Sequence, residues 1–173
     1  MKSPALMELQ QLAVAEAKLK YPGWPESHYT GTRKFNDKTA NELTKAVITW
    51  VRLHGYQAER INSTGRLLDQ RKTFTDVTGR QRTIGSKKWI FTSGQRGTAD
   101  ISATIQGRSV KIEIKAGHDR QSEIQKKYQA SVEAAGGVYL IVKDFQSFYD
   151  WFQNFIKTIK KPGGGRATIK NEQ

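Results

Sequence analysis

The stretch that most constrains this chain is residues 97–115, Gly-Thr-Ala-Asp-Ile-Ser-Ala-Thr-Ile-Gln-Gly-Arg-Ser-Val-Lys-Ile-Glu-Ile-Lys. Two short alternating runs flank Gln106-Gly107. In the first, Ile101, Ala103 and Ile105 share one face, with Asp100, Ser102 and Thr104 on the other. In the second, Val110, Ile112 and Ile114 share a face, with Lys111, Glu113 and Lys115 opposite them. Period-two alternation across a glycine turn specifies a β-hairpin.

Two registers are open. A two-residue loop at Gln106-Gly107 sets Asp100 opposite Glu113, and a loop at Gly107-Arg108 sets Asp100 opposite Lys115. Either way Asp100, Glu113 and Lys115 stand on one face, because a shift of two residues preserves the face. Adjacent carboxylates on a sheet repel each other, and a divalent cation between them removes the penalty. Magnesium suits this role, since it takes carboxylate oxygens and keeps waters for chemistry, with manganese as a substitute. The alternative is a polar strand face with incidental charges.

Charge points to a partner. Among 173 residues, 29 are Lys or Arg and 16 are Asp or Glu, a formal net charge of +13. Such a surface attracts polyanions, with nucleic acid first among them. No apolar run approaches the roughly 20 residues that cross a membrane. No signal-peptide pattern opens the chain, and cysteine is absent. Disulfides and thiolate metal sites are thereby excluded, and a cytoplasmic setting is the expectation.

The rest divides as follows. Residues 4–20 read as a helix behind Ser3, with Pro4 in its first turn. Residues 21–32 read as a loop without regular structure. Its Tyr21, Trp24 and Tyr29 either stack on unpaired bases or pin the loop to the domain. Residues 38–54 form an amphipathic helix, capped by Asn36 or Asp37 and ended by Gly55, with Leu43, Val47, Trp50 and Val51 inward. Residues 57–62 form a first core strand. Residues 63–88 hold seven basic and two acidic side chains. Here residues 73–75 and 82–84 suggest a small hairpin around Thr78-Gly79, either a basic flap that grips phosphates or a solvated loop. The expected phosphate contacts are Arg80, Arg82, Lys87 and Lys88, with Arg96 and Arg120 beside the central hairpin. Trp89-Ile90-Phe91 returns to an apolar strand.

After Lys115 comes a loop with His118 and Asp119. Residues 122–135 form a helix with a Ser122-x-x-Gln125 capping box and a buried stripe of Ile124, Tyr128 and Val132. Residues 138–142 are continuously apolar, as in a central strand buried on both faces, reached by a right-handed crossover. Asp144 caps a last helix whose phenylalanines pack on the N-terminal helix or on a second copy. Residues 160–173 read as a disordered basic tail.

Taken in order, Gly97-Thr98-Ala99-Asp100, Glu113-Ile114-Lys115, Ser122-Glu123-Ile124-Gln125 and Ala135-Gly136-Gly137 before an apolar strand resemble the VRR-NUC family of the PD-(D/E)XK nuclease superfamily. The likeness runs over residues 41–155. Ala99 stands where that family usually has proline, a position that carries no chemistry. The resemblance implies an α/β restriction-endonuclease-like core, αβββαβ, over residues 37–159. Residues 1–36 would be an added helix and aromatic loop, residues 63–88 a basic insertion, and a C-terminal helix would close the core.

The resemblance also implies a Mg2+-dependent DNA endonuclease selective for structure. Asp100, Glu113 and the Ile114 carbonyl would bind metal, and Lys115 would orient and help deprotonate water. Gln125 would touch the active site or the scissile phosphate, which competes with its capping role. Glu42 resembles a helix glutamate that joins the metal; the alternative is an acid favourably placed near a helix N-terminus. Similar stand-alone members are often phage-borne, and some act in the bacterial cytoplasm as homodimeric Holliday junction resolvases on branched DNA. A monomeric flap or nicking endonuclease is the rival enzyme. A non-catalytic DNA-binding module is the rival outside enzymes.

Overall fold

The computed structural model describes residues 3–31, 34–61, 65–90, 95–115, 117 and 119–159. The expectations for Asn62, Phe91, His118 and residues 160–173 lie outside them. Among the described residues the fold is mixed α/β with a mixed sheet and five helices.

The central hairpin forms as its alternation predicts. Strand β6 (Ile101–Ile105) pairs antiparallel with β7 (Arg108–Ile114), and Ile101 faces Ile112. The turn residues Gln106 and Gly107 have φ of 50° and 76°. Two successive left-handed residues make the tight hairpin turn whose twist matches the strands, which glycine adopts without cost. That turn selects the first register, so Asp100 lies one step beyond the Ile101–Ile112 pair, opposite Glu113.

Strand β1 (Gln57–Arg60) adds antiparallel to β6, and β8 (Val138–Val142) adds parallel to β7, giving the order β1-β6-β7-β8. The inward residues of β6 and β7 join a single core with helices α1 (Pro4–Lys20), α3 (Ala40–Leu53) and α5 (Phe145–Thr158). Trp50 is its hub. Phe145 and Phe152 meet its ring edge-on at 5.9 and 6.1 Å, and Tyr149 lies at 5.0 Å. Burying each of these phenylalanines contributes about 2 kcal/mol. The phenylalanines of α5 thus pack within the chain. Tyr149 also donates to Glu8 of α1 at 2.8 Å, so the expected N-terminal extension is an integral core element.

Helix caps follow local chemistry, with one reassignment. Ser3, Ser122 and Asp144 cap as expected. Helix α3, however, starts at Thr39, whose hydroxyl accepts from the Glu42 N–H, and not at Asn36 or Asp37. Asp37 instead accepts from the Phe145 N–H at 3.0 Å, joining α3's entry to α5's start. A carboxylate three residues upstream of a helix looks like a cap only until a distant helix start claims it.

Three other expectations change. Residues 21–32 contain a short helix, α2 (Glu26–Gly31), after Pro25, a residue that tolerates a helix's first turn. The aromatic side chains there bind one another. Tyr21 and Trp24 stack at 4.2 Å, and the buried Tyr29 hydroxyl bonds the Tyr21 carbonyl and the Trp24 N–H. Strand β8 lies at the sheet edge, not the centre, with Ile141 exposed. Helix α4 (Glu123–Ala134) buries no residue fully, and Ile124 is 52% exposed. An edge strand covered by one light helix keeps an apolar sequence without deep burial, which composition alone does not distinguish from a central strand.

The insertion is more ordered than the small hairpin expected of it. Strands β3 (Lys72–Thr75) and β4 (Gln81–Ile84) form that hairpin. Below it, β2 (Arg66–Asp69) pairs with β5 (Lys87–Ile90). The Gln70 N–H to Ser86 carbonyl bond, 3.1 Å, links the two ladders without a slip in register. Residues 66–90 are one two-stranded ribbon, exposed along nearly its whole length.

Candidate active site

The site is built on the polar face of β7, where the strand meets the loop into α4. Asp100 ends the approach to β6, and its carbonyl accepts from the Ile61 N–H at 2.7 Å. Its Oδ2 accepts from the Ile114 N–H across the hairpin at 2.9 Å. The backbone reaches this position past α4 at Gly97, whose φ is 78°. A Cβ there would lie 2.7 Å from Ile124 Cγ2 and 2.9 Å from its backbone, so glycine permits the close passage.

Glu113 and Lys115 are 3% and 5% exposed, the two buried charged residues of the described chain. Their charges meet at 3.1 Å, between Lys115 Nζ and Glu113 Oε1. Lys115 also donates to Asp119 Oδ2 at 3.1 Å and to Gln125 Oε1 at 3.2 Å. Burial pushes the Glu113 carboxyl above its ordinary range, with repulsion from Asp100 adding to it. Lys115 and Tyr139 pull the other way and only partly offset this. Burial also works against the charge on Lys115, but its bonds to Glu113 and Asp119 outweigh that and hold the ammonium above its usual range.

The Gln125 amide makes its capping bond and contacts Lys115 and Glu113 at the same time. Its Oε1 accepts from the Ser122 N–H at 2.9 Å, completing the capping box, and from Lys115. Its Nε2 donates to Glu113 Oε1. An amide oxygen has two lone pairs and the NH2 group is separate, so capping and positioning do not compete.

Tyr139 of β8 is the residue the sequence reading missed. Its hydroxyl lies 3.4 Å from Glu113 Oε2, and Tyr128 packs against its ring edge-on. Burial, then the charge of Glu113, drives the hydroxyl's pKa well upward, so it remains a donor. A lone tyrosine in the run Val138-Tyr139-Leu140-Ile141-Val142 was the available signal, because a buried phenol needs a partner for its tip.

Asp100, Glu113, Ile114, Lys115 and Gln125 therefore come together, with Asp119 and Tyr139. Glu42 stands apart. Arg60 donates to Asn41 at 2.9 Å, which sets the first turn of α3 at the same end of the sheet as Asp100. The Glu42 carboxylate, though, is taken by Asn36 at 2.6 Å and Thr39 at 2.9 Å. Those bonds hold its pKa below the ordinary value. Arg96 and Arg120 are exposed on the two loops that flank the cluster. Arg80, Arg82, Lys87 and Lys88 lie on the ribbon or at its turn.

Among the described residues no group of three or more His, Asp or Glu side chains is placed to hold a metal. The oxygen donors at hand are two carboxylates and backbone carbonyls. No helix of the described residues is long and apolar enough to cross a membrane. No protein-family model matches the chain, and neither does any curated protein.

Proposed function

We propose that this chain is a metal-dependent DNA endonuclease on a restriction-endonuclease-like fold, selective for branched DNA. The observation that carries the reading is the convergence of Asp100, Glu113, Lys115 and Gln125 at one end of the sheet, in a chain of net charge +13. The run of α3, three antiparallel strands, α4 and a parallel strand agrees with the core the VRR-NUC resemblance implies.

The donors fit magnesium by type. Two carboxylates that repel each other, with the Ile114 carbonyl beside them, suit a hard cation that keeps most of its waters. When bound, such an ion stabilises charge on a phosphate and acidifies a water. The chain's own groups do the rest. Lys115, paired with Glu113 and Asp119, orients the attacking water, helps deprotonate it and offsets charge developing on the phosphate. Gln125 and Tyr139 fix the Glu113 carboxylate from two sides. These dipoles are set in advance within a buried site, where they act far more strongly than in water.

The test is cleavage of a four-way junction, a 5′-flap and a plain duplex with magnesium or EDTA, beside Glu113→Gln. Paired symmetric nicks on the junction, lost with EDTA and at least about a thousandfold weaker in the variant, are the expected result. Symmetric cutting requires two sites and hence a two-fold dimer, read from mass in solution. Cutting of flaps alone by a monomer would shift the reading to a flap endonuclease. Binding without cleavage in magnesium or manganese would leave a DNA-binding module.

A further inference from the structure

We infer that one face of the β2–β5 ribbon, and not its other face, docks on the duplex arms of the nucleic acid. The inference rests on the nuclease reading only for the identity of the polyanion as DNA.

Strand alternation divides the ribbon's charges unevenly. In the inner ladder, Arg66 faces Ile90 and Leu68 faces Lys88, one pair apart and so on one side. The opposite side holds Leu67 facing Trp89 and Asp69 facing Lys87. Asp69 also takes the Arg71 guanidinium in a two-pronged bond, 2.9 and 2.8 Å, and lies 3.9 Å from Lys87. Its two cations share this one carboxylate, which leaves a net charge of +1 there against +3 on the first side.

The outer ladder repeats the division. Lys72 facing Ile84 and Phe74 facing Arg82 share a side. The other side carries Thr73, Thr83, Thr75 and Gln81, with the Thr73 and Thr83 hydroxyls bonded at 3.0 Å. That side has no charge. Because the register passes Gly85 unslipped, the even-numbered positions follow one another as one face. Arg66, Lys72, Arg82 and Lys88 stand on it, with Asp76 the single acid, paired to Arg82 at 2.9 Å.

Geometry and charge select the occupant. A two-stranded ribbon fits the roughly 12 Å major groove of duplex DNA. From Arg66 to Asp76 the strand reaches about 33 Å, close to the roughly 34–36 Å of one helical turn. Between the cations, Phe74 and Ile84 are 44% and 57% exposed, apolar contacts for sugars and bases. A second copy fits this face poorly, because a two-fold contact would set one basic face against another. The ribbon is also rooted correctly: Ile61, five residues before it, is bonded to the Asp100 backbone.

The experiment measures binding of labelled junction and duplex DNA to the full chain carrying Glu113→Gln, by fluorescence anisotropy across a salt series. Lys72→Gln and Lys88→Gln are each expected to weaken binding about threefold to tenfold near 100 mM salt and to lower the salt slope by about one. Arg71→Gln, adjacent in sequence but on the other face, is expected to change binding less than about twofold. Equal losses in all three would mean diffuse attraction and would overturn the inference. So would no loss in any, while leaving the nuclease reading intact. A parent that neither binds DNA nor, with Glu113 restored, cleaves it would overturn both. If Phe74→Ser abolishes a dimer in solution without changing DNA binding, the face is a contact between copies and the inference is wrong.

Discussion

The cluster around Glu113 and the ribbon of β2–β5 both carry charge, under opposite physical regimes. In the cluster, two charges are buried, and each is tied by several hydrogen bonds to residues from β7, β8, α4 and the loop between them. In the ribbon, charges stand in water and are tied, where at all, to single carboxylates. Buried charges are strongly coupled and barely screened, so removing one disturbs the rest. Exposed charges act separately, add up, and fade with salt. A buried network suits chemistry at one atom, whereas an exposed row suits holding a long polyanion.

Lys115→Met should break the comparison most visibly. It leaves the Glu113 carboxylate buried without its cation, and a loss of about 3 kcal/mol in urea unfolding is expected. Glu113→Gln with Lys115→Met should recover most of that loss, because the buried charge leaves with its partner. Lys72→Gln in the ribbon should alter stability by less than about 0.5 kcal/mol. If Lys115→Met is equally mild, the cluster is wetter than its burial indicates.

The two roles of Gln125 come apart by substitution. Ser122→Ala removes only the cap and should cost about 1 kcal/mol, with cleavage changed little. Gln125→Ala removes the cap contact and also the donor to Glu113, so cleavage should fall about tenfold or more at similar stability. Equal activity in the two variants would reduce Gln125 to a capping residue.

The smallest effect lies at the ribbon's tip. The Asp76 carboxylate accepts from the Thr78 hydroxyl, the Arg80 and Thr78 N–H groups and Arg82, which together bring its pKa down to about 2. A depressed folded-state pKa means the tip's order is intact above the ordinary aspartate range and is lost as pH falls through about 2. Amide shifts of Thr78 and Arg80 should titrate there while those of β6 and β7 stay fixed. Titration at the ordinary aspartate value would show that the tip is not held by these bonds.

Much was legible along the chain because it depends on neighbours in sequence. Alternation around Gln106-Gly107 sets the hairpin and confines its register to two choices, both with Asp100, Glu113 and Lys115 on one face. Ser3, Ser122 and Asp144 announce helix starts through their own side chains. The phenylalanine spacing of α5 defines its buried stripe. Thr78-Gly79 marks the ribbon's turn.

What only the tertiary structure decided depends on residues distant in sequence. Val138-Tyr139-Leu140-Ile141-Val142 is apolar enough for a central strand, yet it lies at the edge, because β1 takes the β6 side of the hairpin, β8 takes the β7 side, and no described strand adds beyond it. Asp37 reads as the α3 cap until the start of α5, 108 residues away, takes its carboxylate. Gln125 reads as a choice between cap and site until the fold brings Lys115 and Glu113 within reach of the same amide. Local sequence sets which conformations each segment prefers. Burial and pairing across the chain decide which donors and acceptors lose water, and a polar group without water takes whatever partner the fold supplies.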